Sequence, residues 1–330
     1  MNFQNLPPIE KSQTYLDRAI SKAKGRCEAK RATLTRKDVE RTKIIEGYFI
    51  EVVSASLNES FHKILKSFPS FESLTSFYHH LVRCTLPYAR LKKSLGTMDW
   101  TVHKVSELSH ESRQKIKNSK NEKDVHKAKF AFLGRIGSVM KQINPYLQFL
   151  DEARKTMRGY PSIKSDIFTV CLFGFPNVGK TTLFAKMTGS TPEIKNYAFT
   201  TRRLNVSYIY KDGKRNIQLI DTPGTLNRFE VMNDIERQAD LAVKYCAHEI
   251  VFIFDPTDNC AKSDQVALLK KVKGEKKKVT VFISKTDLKK MKMAGAIDNV
   301  DTLLKVLEKQ EALWAKKFIS VNIEESPKDE

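Results

Sequence analysis

No apolar run in the 330-residue sequence approaches the roughly 20 residues that a membrane-spanning helix needs. The opening stretch, MNFQNLPPIEKSQTYLD, lacks the basic segment and apolar core of a secretory signal. Cysteines are few and form no CxxC pair, which argues against a disulfide framework or a zinc site. We therefore expect reduced thiols in a reducing compartment and no membrane partner. The five cysteines are Cys27, Cys84, Cys171, Cys246 and Cys260.

Acidic residues are also under-represented, with 38 Asp and Glu against 58 Lys and Arg, a net charge of +20. The excess is uneven. Residues 1–165 hold 31 basic and 16 acidic side chains, whereas residues 166–330 hold 27 and 22. A basic surplus in one half favours a polyanionic partner there, RNA above all. The alternative is a Lys-rich solvated helical surface, because charge carries no specificity.

The first half shows helical periodicity. Across residues 37–65, apolar side chains recur at i, i+4 spacing, which predicts an amphipathic helix. We expect Tyr78 and Trp100 to lie in the core and give them no RNA-binding role. The resulting prediction is an all-α bundle. Its further helices are expected at 71–82, 87–117, 122–143 and 145–157, the last opening with Pro145 at its first position.

The pattern changes after residues 159–161, where short apolar runs begin to alternate with helical segments. A turn signal at 211–214 predicts a hairpin between the second and third runs. We expect a mainly parallel, doubly wound α/β sheet of six strands with one antiparallel strand. The domain prediction is 1–163 for the basic helical part and 164–330 for the α/β part. The six predicted strands are 167–173, 204–210, 216–220, 250–254, 279–283 and 318–321.

A P-loop motif follows the first predicted strand. Residues 174–181, GFPNVGKT, match GxxxxGKT and precede a predicted helix. In such a loop the backbone N–H groups curl around phosphates at a helix N-terminus. Lys180 is expected to reach the terminal phosphates as a catalytic residue, and Thr181 to ligate Mg²⁺. The other residues predicted to contact nucleotide in this loop are Asn177, Val178, Gly179 and Thr182.

A second motif, Asp221-Thr-Pro-Gly224, ends the third predicted strand. We expect Asp221 to hold Mg²⁺ and the Gly224 amide to sense the terminal phosphate. Between the two motifs lie Phe199, Thr200 and Thr201, where one threonine can complete the Mg²⁺ shell in the triphosphate state. The sequence alone does not choose between the two threonines.

A third motif, Ser284-Lys285-Thr286-Asp287, ends the fifth predicted strand. A carboxylate at Asp287 accepts hydrogen bonds from the guanine ring N–H and exocyclic amine, which adenine does not offer. The stem of Lys285 is expected to pack on the base plane, with Ser284 bracing the loop. Three motifs in this order predict a GTPase that uses GTP/GDP and Mg²⁺ as cofactors.

Together, GFPNVGKTTL, NYAFTT, DTPGTLNR and NDIERQA resemble the Obg-related Nog family, the nucleolar GTP-binding protein 1 type. The resemblance extends upstream to LKKSLGTMDW, AFLGRIGSVMKQINP and YPSI. It implies a helical domain beside a G domain and favours Thr201 as the Mg²⁺ ligand. Ser320 and Val321 resemble the family's second base-contacting loop.

The resemblance implies a factor for large-ribosomal-subunit assembly, with rRNA, ribosomal proteins or precursor particles as partners. Two alternatives stay open: a translation- or stress-associated GTPase on mature ribosomes, and a GTP-binding scaffold with negligible turnover. Ser284 replaces the family's usual Asn. Thr225 stands where Ras-type proteins carry a water-orienting Gln, so slow hydrolysis is expected. The short C-terminal part resembles an archaeal-type member, implying a cytoplasmic location, or a nucleolar one in a eukaryote.

Overall fold

A computed structural model describes residues 3–34, 38–189, 204–211, 213–222, 234–257, 260–275 and 277–324. Within these residues, two compact units form. The helical unit comprises residues 4–73 and 86–158. The sheet unit comprises residues 74–85 and the described residues from 159 to 324, together with Phe3. The helices of the helical unit are Ser12–Thr33 (α1), Val39–Ser67 (α2), Tyr88–Asn118 (α4) and Glu122–Arg158 (α5).

Four long helices pack around one apolar core in the helical unit, which confirms the predicted all-α domain. The predicted 37–65 helix is α2, and its N-terminus is capped by Asp38, whose side chain accepts the Arg41 N–H at 3.1 Å. Helix α1 is not among the helices predicted from the sequence, and it packs against α2 and α5. The fully buried core side chains include Leu57, Phe61, Leu91, Met98, Phe132 and Ile136.

Helix α5 runs without a break through Pro145, so the predicted division into 122–143 and 145–157 is wrong. A proline inside a helix removes one backbone hydrogen bond and is tolerated only where packing compensates. Here Ile143 and Leu147 lie on either side of the proline and are fully buried. Tertiary packing therefore outweighs the local preference for a helix start.

The helix Ser76–Thr85 (α3) belongs to the sheet unit, although it lies within the first half of the chain. Tyr78 is buried as predicted; its hydroxyl donates to the Pro161 carbonyl at 2.8 Å and accepts the Ile163 N–H at 2.9 Å. Trp100, expected in the core, is instead 41% exposed on α4. A cut at residue 163 would therefore separate α3 from the unit into which it packs.

The sheet unit is built on five described strands in the order β2-β3-β1-β4-β5. Only β2 is antiparallel to its neighbour, as the hairpin signal at 211–214 predicts. Strands β1 and β4 are buried along their whole length, so they form the centre of the core. The strands are Phe168–Phe173 (β1), Asn205–Lys211 (β2), Lys214–Asp221 (β3), Glu249–Phe254 (β4) and Lys278–Ile283 (β5). The helices of this unit after α3 are Lys180–Thr188 (α6), Asp234–Tyr245 (α7), Lys262–Lys273 (α8) and Val300–Glu324 (α9).

The sixth strand predicted at 318–321 is wrong, because these residues continue α9. Leu303, Leu307, Trp314 and Phe318 recur at helical spacing, and the rings of Trp314 and Phe318 stack with centroids 4.9 Å apart. A short apolar run does not distinguish a strand from a buried helix face. None of the described helices has the length and apolarity to cross a membrane.

Candidate functional site

The loop between β1 and α6 has the backbone conformation that a phosphate cradle requires. Gly174 and Gly179 have φ angles of 154° and 96°, and Asn177 is left-handed at 63°. A Cβ at Gly174 would lie 2.8 Å from the Ile253 carbonyl oxygen, so only glycine fits there. Val178 is fully buried below the loop. The loop therefore leads directly from a buried strand to the N-terminus of α6.

Lys180 is the first residue of α6 and is 6% exposed. Its ammonium group donates to the carbonyl oxygens of Gly174 at 3.1 Å and Phe175 at 2.6 Å. Burial lowers the pKa of Lys180 to about 8. The ammonium group is thus held inside the loop, where an anion would stabilise its charged form.

The first turn of α6 also brings Thr181 to the end of β3. The Thr181 hydroxyl donates to Asp221 Oδ2 at 2.9 Å, and Asn205 Nδ2 donates to the same oxygen at 3.3 Å. The other oxygen, Oδ1, is buried and has no hydrogen-bond partner among the described residues. Burial raises the pKa of Asp221, opposed by these hydrogen bonds and by Lys180.

A hydroxyl beside a buried, unsatisfied carboxylate oxygen fits a hard divalent cation such as Mg²⁺. The unpaired Oδ1 of Asp221 is the observation that supports this fit, because a buried oxygen without a partner is costly. Asn205 is missing from the sequence prediction. The antiparallel register places it directly opposite Asp221, and a hairpin alignment would have identified it.

The SKTD motif follows β5 at the same edge of the sheet. Ser284 donates to the Phe254 carbonyl through its N–H at 2.9 Å and its hydroxyl at 3.2 Å. A Cβ at Gly179 would lie 3.7 Å from the Ser284 Cβ, so the motif sits against the phosphate loop. Asp287 is exposed. Its carboxylate is therefore accessible to a base at the carboxyl end of β5.

Lys285 has a left-handed backbone, with φ of 51°, and its ammonium group lies 2.6 Å from Asp255 Oδ2. Asp255 is fully buried and also accepts the N–H and hydroxyl of Thr257 at 2.9 and 2.6 Å. Burial alone would raise the pKa of Asp255, but these hydrogen bonds and the Lys285 charge lower it. The Lys285 head group is thus held by an ion pair with a carboxylate directly after β4.

Asp255 is a second site residue outside the sequence-based prediction, although an acid directly after the apolar run 250–254 indicates a carboxylate at a strand end. Gln265 of α8, also fully buried, fixes its backbone. The Gln265 side chain accepts the Asp255 N–H at 2.8 Å and donates to the Asp255 carbonyl at 2.9 Å. The end of β4 is therefore rigidly connected to the SKTD loop.

Residues 3–164 match the family description "NOG1 N-terminal helical domain", and residues 169–285 match "50S ribosome-binding GTPase". The uncharacterized protein MJ1408 of Methanocaldococcus jannaschii is 34% identical over 290 residues. That alignment covers 85% of this chain and 81% of that protein. The chain belongs to the NOG1 family. It is therefore a GTP-binding protein with a P-loop GTPase domain.

Other members of the NOG1 family are longer. Nucleolar GTP-binding protein 1 of Saccharomyces cerevisiae is 28% identical, and the match covers 87% of this chain but 45% of that protein. The chain spans about half the length of the relatives with that name. The structure titled nucleolar GTP-binding protein 1 from Plasmodium falciparum is 21% identical. It covers 50% of this chain and 96% of its own, with a TM-score of 0.39.

The remaining predicted site residues fall into three groups. Thr182 lies exposed in the first turn of α6. The backbone of Ser320 and Val321 is helical within α9, so these residues do not form the predicted second base-contacting loop. The predicted residues that lie outside the described part of the chain are Phe199, Thr200, Thr201 and Gly224.

The sheet edge beside β5 carries a different segment from the one predicted. Ile297 forms a parallel bridge with Phe282, donating its N–H to the Val281 carbonyl at 2.9 Å and accepting the Ile283 N–H at 2.8 Å. Asn299 then caps α9 by accepting the Thr302 N–H at 3.1 Å. A single bridge and a helix cap thus occupy the position expected for the sixth strand.

Proposed function

We propose that the chain is a GTP-hydrolysing factor for assembly of the large ribosomal subunit, with slow turnover in the absence of the particle. The observation that carries the proposal is the meeting of three motifs at the carboxyl ends of β1, β3 and β5. The description "50S ribosome-binding GTPase" for residues 169–285 supports a ribosomal particle as partner. The nucleolar name of the longer relatives supports a role in assembly.

Different residues of the described structure would contact the phosphates, the magnesium ion and the guanine base. Lys180 would exchange the carbonyl oxygens of Gly174 and Phe175 for phosphate oxygens, since all three lie in one loop. Thr181 and Asp221 would hold Mg²⁺ through the hydroxyl and the unpaired Oδ1. A bound magnesium ion neutralises the charge of the phosphate oxygens. Asp287 would select guanine through its carboxylate.

Thr225 gives the reason for slow turnover, because it follows the DTPG motif in the place of a water-orienting Gln. We expect the ribosomal particle to supply the missing assistance. Thr201 is the proposed switch residue that contacts Mg²⁺ in the triphosphate state.

A scaffold that binds GTP with negligible turnover is the second candidate, favoured by the same Thr225. Single-turnover hydrolysis with and without purified large subunits separates the two. We expect slow release of phosphate by the chain alone and faster release with the particle. Equal, negligible release in both conditions would support the scaffold.

A competition assay tests the nucleotide assignment. Labelled GTP bound to the full chain should be displaced by unlabelled GTP and GDP but not by a hundredfold excess of ATP. Equal displacement by ATP would overturn the guanine assignment. Omission of Mg²⁺ should weaken GTP binding in the wild type and have little effect in Thr181→Ala, because that variant has lost one ligand.

A further inference from the structure

Helix α5 presents a continuous stripe of residues on the side opposite its core. Lys123, Lys127, Phe130, Gly134 and Lys141 follow at spacings of 4, 3, 4 and 7 residues, so they share one helix face. We call these five residues the outer stripe. All five are exposed. The helix buries the opposite side, with Val125, Phe132, Ile136, Val139 and Ile143.

Phe130 is unusual within this stripe. Its exposed fraction is 67%, although phenylalanine has no polar group that water can solvate. A single exposed apolar residue needs no special account. Here, however, the ring lies between Lys127 and Gly134 on the same face, and basic side chains interleaved with an aromatic ring are typical of surfaces that stack nucleic-acid bases.

Gly134 is the second unusual member. Glycine destabilises a helix interior relative to alanine. A Cβ at Gly134 would meet no atom within 4 Å, so packing inside the described structure does not require glycine. Its effect is to leave the helix backbone open on the outer side, next to Phe130. Glycine is suited to a position where another backbone approaches closely.

The charge on this face has one sign from residue 125 onward, although the acids Glu122 and Asp124 flank Lys123 in the first turn of the helix. Residues 125–150 contain no Asp or Glu. Lys129 and Arg135, beside the stripe, are already bound to Glu46 at 2.7 Å and Glu111 at 2.6 Å. In contrast, the lysines of the outer stripe make no ion pair within the described part of the chain. Lysines without an ion-pair partner, on a helix that carries no acid from residue 125 to residue 150, are complementary to a polyanion.

We propose that the outer stripe of α5 binds an unpaired segment of RNA. A base stacks on Phe130, the ribose-phosphate backbone crosses the helix at Gly134, and the lysines contact phosphates on both sides. Unstacked bases on aromatic rings are the common mode of single-stranded RNA recognition. This inference rests on the proposed function and gives its RNA contact a position in the helical unit.

The test measures binding of the full chain to deproteinised large-subunit rRNA across a salt series. Phe130→Ala should weaken binding about tenfold, the size of one lost base stack. Lys127→Gln should reduce the slope of log affinity against log salt by about one. Trp100→Ala is the matched aromatic control, and it should leave the affinity unchanged.

Gly134→Ala separates binding from folding, because its two effects have opposite signs. Added helix propensity should raise the melting temperature by about 2 °C. The new methyl group should at the same time weaken RNA binding about fivefold by holding the RNA backbone away. Gly96→Ala is the control: Gly96 is also exposed with open space at its Cβ. Gly96 lies about 22 Å along α4 from Glu111, which pairs with Arg135 beside the outer stripe. The control position is therefore well away from that stripe. Gly96→Ala should raise the melting temperature and keep the affinity.

The outcomes distinguish this inference from the proposed function. If the Phe130→Ala and Gly134→Ala variants bind rRNA as well as the wild type does, the outer stripe is not the RNA-binding site, but the proposed ribosomal function stands. If the variants lose binding to intact subunits but the wild type does not bind deproteinised rRNA, the partner at the outer stripe is a ribosomal protein. That result would overturn the RNA inference. If the wild type binds neither subunits nor rRNA, the ribosomal function itself fails.

Discussion

In the sheet unit several of the residues with chemical roles are buried, whereas in the helical unit most of the charged residues are exposed. Lys180, Asp221 and Asp255 are each at most 6% exposed and are held by hydrogen bonds to loops or neighbouring strands. The outer stripe of α5 consists of residues that are exposed to water. Changes in the sheet unit should therefore be large and specific, while changes in the helical unit should be modest and salt-dependent.

The largest effect should come from Lys180→Ala, since it removes the charge held inside the phosphate loop. We expect GTP affinity to fall about a thousandfold, the value of two charge-assisted hydrogen bonds. Lys186→Ala, an exposed lysine on the same helix, is the control and should bind normally. Isothermal titration measures both. Comparable loss in the two variants would show that the buried position has no special importance.

Asp287→Asn should have the next largest effect, about a hundredfold weaker GTP binding. The amide donates to the extra carbonyl of a xanthine ring, so xanthosine triphosphate should gain affinity in the same variant. Binding of both nucleotides is measured by displacement. A loss of GTP binding without that gain would mean that Asp287 does not contact the base.

Asp255→Asn tests whether the buried carboxylate positions the base loop. Loss of the ion pair with Lys285 should weaken GTP binding about tenfold, the value of one charge-assisted hydrogen bond. Selectivity for GTP over ATP should fall as well, which a general loss of stability would not cause. Asp264→Asn, an exposed acid at the start of α8, is the control.

The smallest effect should be the pH dependence of GTP binding. Burial lowers the pKa of Lys180 to about 8, and bound phosphate raises it, so GTP prefers the protonated protein. Affinity should be constant below pH 7 and fall about fourfold between pH 7 and 8.5. In Lys180→Arg the decline should disappear, because arginine does not titrate in this range. An unchanged decline in that variant would assign it to another group.

A loop that binds phosphate needs particular residue types at a fixed spacing. For that reason the sequence alone identifies the loop at 174–181 and the motif residues that lie beside it in the structure. Lys180, Thr181 and Asp221 converge as expected. Asp255 and Gln265 could not be predicted from the sequence, because their roles depend on which strands are adjacent in the sheet. A linear pattern contains no such adjacency.

The errors in the fold have a similar cause. Residues 318–321 and Pro145 carry strong local preferences, for a strand and for a helix start, but both lie inside long helices of the structure. Helix α3 joins the sheet unit through contacts such as the Tyr78 hydroxyl with Ile163, 85 residues away. The helical unit is predictable as a bundle from periodicity, but the surface that we propose to bind RNA can be identified only when the exposure of its residues is known.

Because α3 packs within the sheet unit, a cut at residue 163 gives fragments that do not correspond to the two units. The central claim, a guanine-nucleotide switch on a ribosomal particle, is therefore best tested with the full chain. The measurement is sedimentation with ribosomal particles in the presence of a non-hydrolysable GTP analogue, GDP or ATP. We predict co-migration with large-subunit precursors in the GTP analogue only, and loss of that co-migration in Lys180→Ala. The account would be contradicted if the protein sedimented separately from all ribosomal particles with every nucleotide. Equal binding to the particles with ATP and with the GTP analogue would also contradict it.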